Sequence, residues 1–281
     1  MKGRILTKET ITGFINHLHL EEKSENTLEK YARDVKAFAT FLNSNSACKE
    51  LVIEYKKKLI ADGYAVSSIN SMLAAVNSLF DYLGWVDCKV KAIKIQRQIY
   101  CPENKELSKA EYLRLAETAE RNHNRRLNMI LQTICGTGIR ISELQFITVE
   151  AVKSGSVEVA CKGKSRIIFI VKKLKKKLLR YAAERHIKAG TIFITKSGKP
   201  VNRTNVWREM KALCKQAHVN PDKVFPHNLR HLFARTFYKL EKDIAKLADI
   251  LGHSSINTTR IYIISTGCEH LKHMENMQLV V

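Results

Sequence analysis

In the N-terminal part of the chain, apolar residues recur at spacings of three and four, which is the pattern of amphipathic helices. Two long runs show this pattern, residues 24–44 and 66–83, and a shorter run lies between them at 51–61. Because such stripes usually face a core, we expect them to pack together as a small helical domain. The apolar positions that define the stripes are Leu28, Tyr31, Val35, Phe38, Leu42, Ile69, Met72, Leu73, Val76, Leu79, Phe80 and Leu83.

Small polar residues mark where these helices begin. Ser24 or Asn26 is a candidate N-cap for the first run, and Ser67 or Ser68 is a candidate for the third. Ser108 has a glutamate three residues later, which is the spacing of a capping box and predicts that another helix starts there. Further helices are predicted at 125–135, at 141–146 and from residue 204 onward.

The periodicity changes between these helices. Residues 156–160 and 166–171 are short and rich in β-branched side chains, so they predict a β-hairpin whose basic tip is 161–165. Residues 191–195 are a candidate third strand. The predicted fold is therefore mostly α with a small antiparallel β-sheet.

A stretch without clear helical period, residues 87–106, separates the first helices from the rest. It contains Pro102 and several basic residues, and we interpret it as an inter-domain linker, with a long loop inside one domain as the alternative. The predicted boundaries are a helical domain at 1–90, a linker at 91–106 and a mixed α+β domain at 107–281.

The net charge of the chain indicates what kind of partner the protein binds. The 281-residue chain is 45% hydrophobic, enough for a packed core, and has a formal net charge of +21. Lys and Arg exceed Asp and Glu by 15 to 11 in residues 1–100 and by 33 to 16 in residues 101–281. Residues 153–188 hold twelve basic side chains against Glu158 and Glu184. Such an excess predicts a polyanionic partner, most simply nucleic acid, and the alternative is a basic protein without one.

Cysteine usage and hydropathy exclude several classes of protein. The seven cysteines form no C-x-x-C pair and their number is odd, so neither a disulfide framework nor a zinc ribbon is expected. A reducing, cytoplasmic location is the expectation. The N-terminus lacks the apolar stretch of a signal peptide, and no window approaches 18 apolar residues, so we expect no membrane span.

Two motifs that suggest familiar chemistry fail on their spacing. The glycine-rich segment 136–140 lacks the spacing of a P-loop and follows a helix, so nucleotide binding is not favoured. His227 and His231 share a helix face, but Asn228 follows His227 where a zinc protease has glutamate, and no third ligand is evident. Metal binding is therefore not favoured either.

Three separated segments, taken in order, resemble the tyrosine recombinases, also called phage-integrase-like or Xer-like recombinases. GTGIRISEL at 136–144 resembles the first arginine box and identifies Arg140. HNLRH at 227–231 resembles the H-x-x-R box and identifies His227 and Arg230. LGHSSINTTRIY at 251–262 resembles the box that ends in the nucleophile, which identifies His253 and Tyr262.

The resemblance extends to two further segments. CKGKSR at 161–166 is similar to the turn that carries the family's lysine, where Lys162 fits the pattern best. Cys161 replaces the usual glycine, and Lys164 is the alternative. TLEKYARDVKAFATFL, from residue 27, resembles the helical core-binding domain, so the resemblance covers nearly the whole chain and implies a DNA-binding N-terminal domain and a catalytic C-terminal domain.

The resemblance implies a site-specific recombinase that cleaves and rejoins DNA through a 3′-phosphotyrosyl intermediate. Arginines suit the phosphate because a guanidinium is a permanent, planar, bidentate donor, which fits Arg140 and Arg230. His253 is a further phosphate donor, and His227 is the candidate base for the hydroxyl of Tyr262. Lys162 is the candidate general acid for the leaving 5′-oxygen.

The same resemblance implies partners and excludes cofactors. The bond energy stays in the phosphotyrosine, so neither ATP nor a metal is required and no cofactor is expected. The expected partner is double-stranded DNA, bound by a homotetramer on two sites. The tail at 263–281 is expected to dock on a neighbouring protomer, with a helix that packs on its own domain as the alternative. A bacterial or mobile-element setting is implied. Glu143 is either an orienting residue or a surface or capping carboxylate.

Two other functions fit parts of the pattern. A type IB topoisomerase uses the same chemistry as a monomer to relax DNA, whereas the two-domain pattern and apolar tail favour a recombinase. A DNA-binding protein that has lost catalysis is a second alternative. The complete set of catalytic residue types argues against it.

Overall fold

The computed structural model describes residues 4–95, 105–161, 164–195, 197–262 and 274–277. Backbone contacts divide the chain into two compact units, residues 1–97 and 98–281. Most of the predicted linker, residues 96–104, lies outside the described part of the chain. None of the described helices is long and apolar enough to cross a membrane.

The N-terminal unit is helical, as its periodicity predicts. Its core is formed by the predicted stripes, and Val35, Phe38 and Phe80 are fully buried in it. The chain after the last helix stays attached, because the side chain of Asn70 bonds both backbone groups of Ile93. The helices are α1 (Lys8–Leu20), α2 (Glu25–Leu42), α3 (Lys49–Ala61) and α4 (Val66–Leu83), followed by a 3-10 turn at Val86–Cys88.

The predicted caps in this unit are only partly confirmed. Ser24 is the N-cap of α2, but its hydroxyl bonds the hydroxyl of Thr27 and no backbone N–H. The N-cap of α4 is Ala65, so the prediction of Ser67 or Ser68 is wrong. Both serines already lie in the first turn of the helix, where the backbone is helical and a capping conformation is not available.

The C-terminal unit is mostly helical around one two-stranded sheet. Ser108 and Glu111 form the predicted capping box at its first helix. Its α-helices are α5 (Lys109–Arg121), α6 (Arg125–Thr137), α7 (Val149–Ser154), α8 (Lys172–Glu184), α9 (Arg203–Ala217), α10 (Pro226–Glu241), α11 (Ile244–Leu251) and α12 (Ile256–Arg260); its strands are β1 (Ser156–Cys161) and β2 (Lys164–Phe169), and 3-10 turns lie at Ile141–Phe146 and Pro221–Lys223.

The hairpin is antiparallel, with Ser156 paired to Phe169 and Cys161 to Lys164. The second strand therefore begins two residues earlier than predicted. The predicted third strand at 191–195 is wrong for the described residues, since this stretch makes only isolated bridges, Thr148 to Thr191 and Ile194 to Pro200. Burial of Ile192 and Phe193 explains the apolar pattern without a sheet.

Helix α6 lies at the centre of this unit and packs against α5, α8 and α10. It ends at Gly138, which has a positive φ of 67°. A Cβ on Gly138 would lie 2.5 Å from the ring of Phe233 on α10, so only glycine lets the two helices approach so closely. This close approach brings Arg140, just after α6, next to the first turns of α10.

Candidate active site

Arg230 is the most deeply buried charged side chain of the unit, with 1% of its surface exposed. It points inward from α10 and donates hydrogen bonds to the carbonyl of Gly138 and, from Nη2, to the carbonyl of Leu251 at 2.7 Å. Its Nε is buried without a hydrogen-bond partner. An unpaired buried donor is costly, so this guanidinium has capacity for one more acceptor, such as an anion.

His253 follows α11 directly and shares a hydrogen bond with Arg230. Gly252 ends the helix with a φ of 63°, as the sequence predicts, and turns His253 back towards α10. The Nε2 atom of His253 lies 3.1 Å from Nη2 of Arg230, and its Nδ1 lies 2.9 Å from the hydroxyl of Thr259. Because a guanidinium only donates, Nε2 accepts, and Nδ1 carries the ring proton towards Thr259.

Arg140 approaches the same place from the end of α6. Its Nη1 donates to Glu143 at 2.9 Å, and its Nη2 lies 3.4 Å from the carbonyl of Gly252. The side chain is about one-third exposed, 34%, in contrast to the buried Arg230. One guanidinium is thus fixed inside the protein, while the other lines the open side of the site.

Glu143 is a buried carboxylate that joins three parts of the site. It accepts hydrogen bonds from the backbone N–H of Arg140 at 2.8 Å, from the side chain of Arg140, and from both Nη atoms of Arg166 at 3.0 and 2.7 Å. Burial acts to raise its pKa, but these donors outweigh burial and the pKa is lowered. Glu143 is therefore not a surface carboxylate: it orients the two arginines and, through its bond to the backbone N–H of Arg140, also caps the 3-10 turn at Ile141–Phe146.

Arg166 is a site residue that sequence reasoning missed, because it was counted within the basic run 153–188. It points inward from β2 instead of towards solvent, with 11% of its side chain exposed. It also lies against Gly252, where a Cβ would be 2.6 Å from its Cδ. The signal available in the sequence was its alternation on β2 with the exposed residues Ile167 and Phe169.

Tyr262 lies just after α12 and is buried, with 5% exposed. Its hydroxyl is 3.1 Å from Nε2 of His227, a hydrogen bond between the predicted nucleophile and the predicted base. The guanidinium carbon of Arg230 is 5.9 Å from the centre of the tyrosine ring. The structure thus brings together five of the six predicted residues, namely Arg140, His227, Arg230, His253 and Tyr262.

The sixth residue, Lys162, lies outside the described residues. The alternative, Lys164, begins β2, and its Cα pairs with that of Cys161. Lys164 lies on the same strand as Arg166, which is attached to the site through its hydrogen bonds to Glu143.

His231 is the second residue that the sequence reasoning did not place at the site. It was weighed only as a metal ligand with His227, yet it stacks on the ring of Tyr262, with centroids 4.1 Å apart and an angle of 15°. Its spacing of four residues from His227 was the available signal, since both then share one face of α10. Among the described residues, no group of three or more His, Cys, Asp or Glu side chains is arranged so that it could hold a metal ion.

The electrostatic character of the site is positive. Burial is the main cause that lowers the pKa of all three imidazoles, and nearby arginines and histidines lower it further. The pKa values of His231 and His253 fall to about 4, and the pKa of His227 is also lowered. Burial and the proximity of Arg140 lower the pKa of Arg230 to about 10. The site therefore holds neutral histidines beside charged guanidiniums, which suits a proton acceptor next to a bound anion.

Comparison with known proteins agrees with this geometry. The sequence profile of the phage integrase family matches residues 105–267, and that of the phage integrase N-terminal SAM-like domain matches residues 11–86. The chain belongs to the phage integrase family. Tyrosine recombinase XerA of Pyrococcus furiosus is 30% identical to it over 281 residues, covering 97% of this chain and 94% of XerA.

Solved structures with the same fold include two complexes with DNA. The XerH site-specific recombinase bound to difH substrate has a TM-score of 0.69 and 18% identity, covering 97% of this chain and 90% of XerH. A lambda integrase tetramer bound to a Holliday junction has a TM-score of 0.74 and 18% identity, covering 90% of this chain and 76% of the integrase. The comparisons confirm the predicted family, the tyrosine recombinases, and the predicted two-part fold.

Proposed function

We propose that this protein is a site-specific recombinase that cleaves and rejoins double-stranded DNA through a 3′-phosphotyrosyl link to Tyr262. The observation that carries the proposal is the hydrogen bond between the hydroxyl of Tyr262 and Nε2 of His227, made beside two arginines. A tyrosine needs a proton acceptor to attack, and a phosphodiester needs its charge neutralised; this arrangement supplies both.

In the proposed first step, the oxygen of Tyr262 attacks phosphorus and its proton passes to Nε2 of His227. The bond between phosphorus and the 5′-oxygen breaks, and Lys162 gives that oxygen a proton. Arg140 and Arg230 neutralise the charge that builds on the non-bridging oxygens. In the second step, a 5′-hydroxyl from another strand attacks phosphorus and gives its proton to Lys162, while the bond to the Tyr262 oxygen breaks and that oxygen takes back its proton from His227.

His253 has a defined part in phosphate binding. In this structure its Nε2 accepts a hydrogen bond from Arg230, so it offers no proton to an anion. To donate to a phosphate oxygen, Nε2 must gain a proton or take the ring proton from Nδ1. The negative charge of the phosphate favours this change because it offsets the surrounding guanidiniums.

The proposal includes the other partners. Exposed lysines of α8, among them Lys172, Lys173 and Lys176, would contact DNA phosphates, and the helical unit at 1–97 would add further DNA contacts. A homotetramer on two DNA sites would bring four strands together, as in the lambda integrase tetramer bound to a Holliday junction. The tail at 263–281 would dock on a neighbouring protomer. The protein would act in the cytoplasm.

A nicked DNA substrate that releases a short fragment after cleavage tests the proposal. The wild-type protein is expected to form a covalent adduct that survives denaturant, without added metal or ATP. Tyr262→Phe should bind the same DNA and form no adduct. An adduct that persists in Tyr262→Phe contradicts the assignment of the nucleophile.

A second substrate identifies the general acid. A 5′-bridging phosphorothiolate has a leaving group that needs no proton, so it should restore cleavage by Lys162→Ala but not by Arg140→Ala. Rescue of Lys164→Ala in place of Lys162→Ala would assign the role to Lys164.

A further inference from the structure

The ring of Tyr262 lies among three imidazoles, which contact it in different ways. His231 meets it face to face, with centroids 4.1 Å apart and ring planes only 15° from parallel. His227 presents an edge at 5.1 Å and 68°, and His253 is tilted at 5.0 Å and 47°. His231 is therefore the closest of the three and the only one stacked on the nucleophile.

The three histidines also differ in what their ring nitrogens do. His227 directs Nε2 to the hydroxyl of Tyr262, and His253 directs its two nitrogens to Arg230 and Thr259. His231 instead contacts Tyr262 through its ring face, and lies edge to face with His227 at 4.8 Å. Its contribution to the site comes from the flat ring and not from proton transfer to the hydroxyl.

The local backbone explains why such a contact is needed. Tyr262 follows α12, a helix of only five residues, and its backbone is held by a hydrogen bond to the carbonyl of Thr259 at 2.9 Å. The hydrogen bond to His227 fixes the position of one oxygen atom, but not the plane of the ring. Stacking on a ring carried by the longer helix α10 fixes that plane, and attack on phosphorus depends on such alignment.

We propose that His231 is a positioning residue, whose ring stacks on Tyr262 and holds its hydroxyl in line for attack on the phosphate. This inference rests on the proposed function and adds a residue to it. One stretch of α10 then supplies the proton acceptor His227, the phosphate clamp Arg230 and the ring support His231.

The charge state of His231 agrees with a stacking role. Burial, then the proximity of His227 and Arg230, lowers the pKa of His231 to about 4, so the ring is neutral near pH 7. A neutral ring adds no further positive charge beside Arg230. A phenylalanine would keep the flat face and the neutrality, whereas alanine would remove the ring and its stacking on Tyr262.

Two reactions separate positioning of Tyr262 from general damage to the site. The first is single-turnover adduct formation on nicked DNA, which needs Tyr262. The second is joining of a DNA strand that ends in a 3′-(p-nitrophenyl) phosphate: a 5′-hydroxyl attacks phosphorus, the bond to p-nitrophenolate breaks, and the hydroxyl proton leaves to the protein or solvent. This joining uses the arginines but not Tyr262.

His231→Ala is expected to slow adduct formation about tenfold at saturating protein, the scale of one aromatic stack, and to leave joining of the nitrophenyl ester unchanged. His231→Phe should form adduct at nearly the wild-type rate. Phe237→Leu shortens another partly buried ring of the cluster around Tyr262 and controls for lower stability; it should affect neither reaction.

Three outcomes would overturn the inference. They are an unchanged adduct rate in His231→Ala, an equal loss in both reactions, and a failure of His231→Phe to restore adduct formation. If the wild-type protein itself forms no adduct, the proposed function fails instead, so the two failures are distinguishable.

Discussion

Glu143 shows how one buried residue organises several others at this site. Its carboxylate binds Arg140 through both backbone and side chain, and binds Arg166 with two hydrogen bonds. The two parallel hydrogen bonds from Arg166 fix the direction of the Glu143 carboxylate as well as its distance. The fixed carboxylate in turn holds Nη1 of Arg140. Glu143 therefore sets the orientation of Arg140, the guanidinium on the open side of the site.

We expect Glu143→Gln to slow adduct formation on nicked DNA about a hundredfold, because small misplacement of a phosphate-binding group is costly. Glu150→Gln, an exposed carboxylate bonded to the backbone of Gly190, is the matched control and should retain activity. Glu143→Gln will also be less stable than the wild-type protein, since it leaves Arg166 buried without its charge partner.

The double variant Glu143→Gln/Arg166→Met separates these two effects. It removes both members of the buried pair, so its free energy of unfolding should recover relative to Glu143→Gln. Cleavage should stay slow, because Arg140 still lacks its anchor. Recovery of cleavage along with stability would show that Glu143 acts only on folding.

The histidines give the catalytic unit a defined pH dependence of stability. His231 and His253 have pKa values of about 4 when folded and an ordinary value of 6.5, with burial as the main cause. The unfolded chain therefore binds more protons than the folded chain between about pH 6.5 and about pH 4, so stability is full above this window and is lost as pH falls through it.

Denaturant unfolding across this window checks the expectation. As the pH is lowered, the free energy of unfolding of the wild-type protein should decrease. That of His231→Phe should decrease less steeply, because this variant lacks one of the two titrating rings. The neighbouring charges Arg230 and Arg140 are present in both proteins. Equal slopes would contradict the buried, neutral state of His231.

The site residues that were predicted differ from those that were missed in how clearly the sequence identifies them. Arg140, His227, Arg230, His253 and Tyr262 lie in segments with a recognisable order, and the structure brings them together. Arg166 and His231 act through packing and through contacts with other site residues, which depend on neighbours distant in sequence. Alternation along β2 is a signal for the inward face of Arg166, but no spacing rule identifies the carboxylate on another element that Arg166 binds.

The loop between α11 and α12 has a strict steric requirement. Gly252 combines a φ of 63° with a Cβ position 2.6 Å from the side chain of Arg166. Sequence predicted a helix end at this glycine from capping rules alone. The second requirement, close contact with β2, follows from tertiary packing and was not predictable.

We expect Gly252→Ala to destabilise the protein by about 1–3 kcal/mol and to slow adduct formation, because Arg166 must move away from Glu143. Gly190→Ala is the matched control, with a φ of 75° and open space around its Cβ position. It should show the cost of backbone strain without loss of activity. Denaturant unfolding and adduct assays of both variants give the comparison.

The sheet shows which strands the periodicity of apolar residues can predict and which it cannot. The hairpin was predictable because two β-branched runs flank a short basic tip, and β1 and β2 form there. Residues 191–195 have a similar apolar pattern, but Ile192 and Phe193 are buried against helices and only isolated bridges form. A short apolar run does not distinguish a strand from a buried loop.

At the scale of the whole molecule, charge is the feature that the sequence predicts most directly. The excess of +17 in residues 101–281 (33 basic against 16 acidic) includes exposed lysines on α8 and the guanidiniums of the site. In the proposed function these two groups have different tasks, since the exposed lysines would bind DNA phosphates in general whereas the arginines of the site would act on one phosphate.

Salt dependence of DNA binding separates the two groups. Binding should weaken steeply with salt, and replacing Lys172, Lys173 and Lys176 by glutamine should reduce the slope of log K against log salt by up to about 0.9 for each phosphate that is no longer neutralised. The same three positions changed to arginine keep the charge and should keep the slope. An unchanged slope in the glutamine variant would place the DNA on another surface.

The proposed mechanism depends on a covalent bond between Tyr262 and DNA. The most direct measurement is mass spectrometry of the adduct after nuclease and trypsin digestion. Cleavage after Arg260 and Lys272 gives a peptide of residues 261–272, and the nucleotide should be attached to Tyr262 in this peptide. A nucleotide attached to any other residue, or an adduct without this peptide, would contradict the assignment of Tyr262 as the nucleophile.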